Sequence, residues 1–177
     1  MTRGDCAWLL GLGLLAAGCR KSIPKVALAL PASGTISQVL MEFQMQDILN
    51  GTKNMVVESI EGRISDQLRM ADVDKPKITF YKKGQISSTL TAPQGRVGID
   101  SHEVQVWGGV TVVTQDSTTL KTDRLRYDPL TQHLVSTHTV VFEKPDSITE
   151  GIGLDADTDL NRVRIGHEKV RLKSHHG

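Results

Sequence analysis

Asp155, Asp157 and Asp159 stand at alternate positions, and carboxylates so spaced are how a calcium-binding loop begins. The glycine that should follow and the distal bidentate glutamate are both missing from their places. Histidine offers the other route to metal or acid–base chemistry. His133 and His138 are five residues apart, His102 and His167 stand singly in turn-like segments, and His175-His176 ends the chain. No pair of them has ligand spacing on one regular element. Ser136 lies close to His138 on one extended stretch, yet neither an acid partner nor oxyanion donors can be named for it. Cys6 and Cys19 are the two cysteines, and both fall in the N-terminal apolar region, which leaves no disulfide pair and no thiolate ligand set beyond it. The expectation is a protein that is not an enzyme and uses no metal and no cofactor.

What remains is the chemistry of surfaces. The chain has 177 residues, with 21 basic and 20 acidic side chains and a net charge of +1, so it carries no electrostatic footprint for nucleic acid. After Trp8 the aromatics are Phe43, Phe80, Tyr81, Trp107, Tyr127 and Phe142, too few for a platform that stacks bases or sugars. Lys121, Arg124 and Arg126 form a basic strip, read here as a solvated face rather than a phosphate site.

The N-terminus has the pattern of a targeting segment. Arg3 supplies a short basic region, Cys6 to Ala17 is apolar, and small residues precede Cys19. The apolar run of about 14 residues is short against the roughly 17–25 that a membrane span needs. Leu15-Ala16-Ala17-Gly18-Cys19 resembles a bacterial lipoprotein signal, which implies a signal peptide over 1–18 and acylation of Cys19. Pro24, Pro31, Ser33 and Gly34 mark 19–38 as anchor and tether, ahead of a domain over 39–173 and a tail over 174–177.

Within that domain the pattern is all-β. Met41, Phe43 and Met45 alternate with polar residues, which favours a strand, although Gln38 to Ile48 also has near-helical spacing. Asn50-Gly51 then marks a hairpin, and Lys82-Lys83-Gly84 a second between Ile78 and Thr91. Asp66 to Lys77 is less regular, and Pro76 excludes an uninterrupted central strand there. Gly108-Gly109, Asp128-Pro129 and Lys144-Pro145-Asp146 punctuate the later strands.

The C-terminal half repeats one unit three times, over Ser88 to Ser117, Thr118 to Ser147 and Ile148 to Lys173. Val104, Leu134 and Val163 follow at 30 and 29 residues, and Val110, Val140 and Val170 at 30 and 30. Such a period marks stacked units that cannot bury their apolar faces alone. Alternation points Val104, Val106, Val110, Val112, Leu125, Tyr127, Val140, Phe142, Ile152, Leu154, Val163, Ile165, Val170 and Leu172 to one face. Periodicity does not decide whether that face closes into a filled core or an accessible trough.

Ile78 to Ala92 (ITFYKKGQISSTLTA), Leu120 to Asp128 (LKTDRLRYD) and Gly151 to Asp157 (GIGLDAD) resemble the lipopolysaccharide-export component LptC, over about Val39 to Lys173. Its wider group shares the fold of the OstA-like bridge proteins. The resemblance implies a twisted, open β-jelly-roll with a lengthwise apolar groove. It also implies a non-catalytic role: lipopolysaccharide is accepted from an inner-membrane ABC transporter and handed to the next periplasmic β-jelly-roll bridge protein. Many members have a transmembrane helix where this chain has a lipoprotein signal, so its membrane attachment is expected through Cys19, with the family favouring the inner membrane. On the same basis Ile78, Phe80, Val106, Val140, Phe142, Leu154 and Ile165 would line the groove. The edge carrying Phe43 and Met45 would face the transporter, and the edge carrying Val163 and Val170 the bridge protein. The alternative is an envelope scaffold of the same fold that assembles edge to edge without carrying lipid. Gly151 and Gly153, flanking Ile152, are read as a bulge, a close backbone approach or a simple bend.

Overall fold

A computed structural model describes residues 35–172, with side chains through Val170. The leader, Cys19, the tether up to residue 34 and the end of the chain from Lys173 lie outside the described residues. β1 (Gln38–Leu49) and β2 (Thr52–Ser65) form a long antiparallel hairpin joined at Asn50-Gly51. Both turn residues have positive φ, 51° and 73°, as a two-residue I′ turn requires and as asparagine and glycine tolerate. The strand reading of Gln38 to Ile48 therefore holds over the helical one. There follow β3 (Met70–Asp74), β4 (Lys77–Lys82), β5 (Gln85–Thr91), β6 (Gln94–Gly98), β7 (Val104–Thr114), β8 (Thr119–Asp128), β9 (His133–Glu143), β10 (Ser147–Asp157), β11 (Val163–Ile165) and β12 (Lys169–Leu172). Together the twelve strands make one antiparallel sheet.

The registers show a simpler plan. β3 runs on into β4 past Pro76, and both line β2 without a shift, Glu61 opposite Asp74 and Glu58 opposite Lys77. β5 continues into β6 past Pro93 beside β3 and β4, and β11 into β12 along β10. The chain is thus a meander of long strands, each bent near its middle. The halves on one side of the bends form one layer and the other halves a second, folded over a shared core. This is the twisted β-jelly-roll that the sequence led us to expect, and its two-strand repeat is the source of the 30-residue period. Val104, Tyr127, Leu134, Ala156 and Val163 are successive cross-strand partners in one row.

Three of the bends are bulges. Registers slip between Trp107 and Val110, between Thr122 and Arg126, and between Ile152 and Leu154, and each extra residue turns the strand around a corner. Gly108 and Gly109, with φ of 89° and 102°, form such a corner inside β7 instead of ending a strand. Pro76 and Pro93 sit at the bends, where no ladder donor is lost. The segment around Pro76 therefore holds a strand on either side of it, and β3 fills part of the stretch expected to be irregular.

A slipped register also reverses alternation. Gly151 and Leu154 are buried, whereas Ile152, expected on the apolar face, is 56% exposed because the strand reverses its faces at Gly153 (φ 86°), opposite the extra residue of a bulge in β9. Val170 departs from expectation in another way. It pairs with Thr149, in the row of Phe142, and not in that of Val140.

Candidate functional site

The interior gathers the residues expected to line a groove. Ile78, Phe80, Val106, Val140, Phe142 and Leu154 are all buried in one cluster, with half-buried Ile165 packed against it. Valine, leucine and phenylalanine on alternating positions of facing layers make a surface without unmet polar groups. Their side chains are shut away from solvent against one another between the layers. Toward the C-terminal edge this cover runs out. Along the row Val112, Leu120, Phe142, Thr149, Val170, exposure is 0% at Val112, 7% at Phe142 and 59% at Val170. Past half-buried Thr149 the row ends at a valine that the second layer does not cover.

Opposite the line of bends, two polar clasps hold the layers together. In the first, Asp47 Oδ1 lies 2.8 Å from His102 Nδ1, and Asn54 Nδ2 donates to Asp47 Oδ2 (2.7 Å) and Tyr127 Oη (3.0 Å). The Tyr127 ring packs on Phe80 of the other layer at 5.0 Å between centroids. Burial pushes the Tyr127 phenol above its ordinary range, against the hydrogen bond from Asn54. In the second, Lys82 bonds Asp159 and Ser88 Oγ donates to the Thr158 carbonyl, while Leu160 of the same turn joins the core. Burial pushes the Asp159 carboxyl up, but the bonds from Lys82 and Asn161 outweigh it and hold the group below the usual carboxylate range.

Sequence reasoning found neither clasp. Their partners are 55, 73 and 77 residues apart, and no local pattern links them. One signal was available: Asp47 follows Phe43 and Met45 in the inward register, so a carboxylate there needs a partner within the fold.

Among the described residues both long edges of the sheet are without a further strand. β1 pairs there only with β2, and Val39, Leu40, Met41, Ile48 and Leu49 are exposed on it. Phe43 instead turns inward over Gly62, where an added Cβ would lie 2.7 Å from the ring, and Met45 is half-buried beside the core. At the other end, among the described residues, β11 and β12 pair only with β10. Val163 is half-buried there and Val170 exposed. Gly151 is a place of close approach, by the chain's own C-terminal edge: a Cβ on it would meet Ile165 at 2.4 Å and the Gly166 carbonyl at 2.6 Å.

The remaining chemistry-bearing residues stay largely apart. Asp155 pairs with His133 at 2.6 Å, whereas the Asp157 and Asp159 carboxyls lie within reach of each other, Asp157 accepting from the Arg162 amide and Asp159 from Lys82. Arg124 lies over the Trp107 ring at 5.8 Å, and Arg126 and Lys121 lie 3.8 Å from Glu103 and 3.9 Å from Glu143. The basic strip is an outer face with its charges answered by neighbours.

No curated protein matches the chain. Among solved structures it resembles LptH of Pseudomonas aeruginosa, described as the LptA-homologous periplasmic component of the conserved lipopolysaccharide transport device. That likeness has 15% identity and a TM-score of 0.49, over 68% of this chain and 94% of that one. Residues 21–173 match the family described as lipopolysaccharide-assembly, LptC-related. That match spans the two bent layers, both clasps and both open edges, and the chain belongs to the LptC-related family of lipopolysaccharide assembly.

Proposed function

We propose that this protein carries the acyl chains of lipopolysaccharide between its two layers, receiving the glycolipid from an inner-membrane ABC transporter and passing it to a periplasmic bridge protein of similar fold. The observation that carries the reading is the row that runs from Val112 through Leu120 and Phe142, past half-buried Thr149, and emerges uncovered at Val170. An acyl chain of about ten methylenes gains on the order of 8 kcal/mol on leaving water, so it travels only along continuous apolar surface. A row that runs from the core to the sheet edge, with Thr149 as its one polar step, offers that surface to a neighbour which adds its own strand there. Ile78, Phe80, Val106, Val140, Phe142, Leu154 and Ile165 are the contacts assigned to the chains. The β1 edge with Phe43 and Met45 is assigned to the transporter, and the edge with Val163 and Val170 to the bridge protein. Acylated Cys19 would hold the domain at the membrane that supplies the lipid.

The filled interior favours a second reading, an envelope scaffold that assembles edge to edge and never parts its layers. Native mass spectrometry of the protein mixed with lipid A separates the two. The carrier predicts a stoichiometric lipid adduct that Ile165→Asp removes and outward Ile152→Asp keeps. Absence of any adduct on the unaltered protein, or equal loss in both variants, would leave the scaffold.

A further inference from the structure

The turn between β10 and β11 reaches across the seam and into the core. Leu160 at its tip is 3% exposed and part of the buried cluster. It holds a φ of 54°, a left-handed conformation that crowds a bulky side chain and persists only where the surroundings impose it. The turn is tied to the opposite layer by the Lys82–Asp159 ion pair and by Ser88 Oγ donating to Thr158 O. Polar satisfaction here is incomplete. Asp159 Oδ1 and Ser87 Oγ are buried and find no partner among the described residues, although buried polar groups are ordinarily bonded. A cleft of about 460 Å³, lined in part by Lys82, Ser87, Asp116 and Asn161, lies against the same turn. The other clasp differs. Asp47, Asn54, His102 and Tyr127 satisfy one another, and none of them has a buried atom left over among the described residues.

We propose that the 158–161 turn is a lid on the seam, with Leu160 as its plug, and that a hydrocarbon chain passes into the interior where this lid lifts. The proposal rests on the reading above that the interior takes acyl chains. Lifting the turn, which its own bonds from Leu160 N to Asp157 O and from Asp157 N to Arg162 O keep in shape, lets Asp159 and Ser87 reach water, so opening recovers part of what it gives up. It also withdraws a leucine side chain from the core and leaves a gap of that chemistry and size. The fully bonded clasp at Asp47 stays shut and keeps the layers in register while the other side parts.

The test has two arms on the full chain. Hydrogen exchange read by mass spectrometry compares the unaltered protein with Lys82→Ala, a change at a half-exposed side chain that leaves the core intact. Exchange across 157–162 should rise about tenfold with β8 and β9 unchanged. Uptake of a fatty acid bearing an environment-sensitive fluorophore should quicken in the same proportion, and Leu160→Ala should quicken it further. Exchange that is unmoved, or that rises over the whole domain, overturns the lid whatever the lipid does. Local exchange with an unchanged uptake rate places the port elsewhere and overturns the assignment. Local exchange with no uptake by any form, the unaltered protein included, refutes acyl binding and with it the port, while separating that failure from the motion of the turn.

Discussion

Gly62→Ala should weaken the protein by about 1–2 kcal/mol, and the whole loss should pass through one phenyl ring. An added Cβ would stand 2.7, 2.8 and 2.9 Å from three carbons of Phe43, closer than carbon atoms pack. Gly62 itself is not in the left-handed region, so alanine meets no backbone strain there. Forcing a methyl group into such contact costs about 1–3 kcal/mol. Replacing glycine by alanine at a compatible backbone position returns about 0.4–1 kcal/mol through the unfolded chain. The net is a modest loss and a loosened β1. In a Phe43→Ala background the collision is gone, and the same Gly62→Ala change should become neutral or stabilising. Urea unfolding of the four proteins gives the coupling directly, expected at about 2 kcal/mol from those two magnitudes. If Gly62→Ala costs the same in both backgrounds, Phe43 does not pack on Gly62, and the account of how the N-terminal edge is held is wrong.

Asp47→Ala strips Asn54 and His102 of their shared partner and should lower the unfolding free energy by about 1–3 kcal/mol, read from urea midpoints. In a Tyr81→Phe background the ultraviolet phenolate signal comes from Tyr127 alone, and it should appear only above the ordinary tyrosine range near pH 10. Because the folded protein holds that phenol protonated, its contribution to stability is complete below the unfolded pKa and is lost as pH rises through the folded one. The reversal of faces at Gly153, opposite the β9 bulge, predicts that Ile152→Asp is tolerated within about 0.5 kcal/mol while Leu154→Asp unfolds the domain. Thermal melts of the two variants compare them, and equal tolerance would place the bulge elsewhere.

What could be read in the sequence was whatever obeys a local period. Alternation from Met41 to Met45 and the Asn50-Gly51 turn give the first hairpin, because strand faces and I′ turns are decided by neighbours in the chain. The recurrence of Val104, Leu134 and Val163 gives the row, because equal strand and loop lengths return the chain to the same place. Legibility stops where a bulge breaks the period. Ile152 and Leu154 have the parity of one face, and a single glycine at φ 86° sends Ile152 to the other side. It stops again at the clasps, since nothing near Asp47 announces His102 and nothing near Lys82 announces Asp159. The inward residues were identifiable as a set, but the plug at Leu160 was not, because a leucine in an Asp- and Asn-rich turn carries no period at all.

Acyl chains held between the layers would be caught by a photo-crosslinking residue placed in cells at Phe142 or Ile165, with outward Arg126 as the control, and the adducts probed for lipopolysaccharide. The account predicts adducts at Phe142 and Ile165 that require ATP, and none at Arg126. A folded, correctly localised protein that gives no adduct at either inward position, or gives it equally at Arg126, would contradict it.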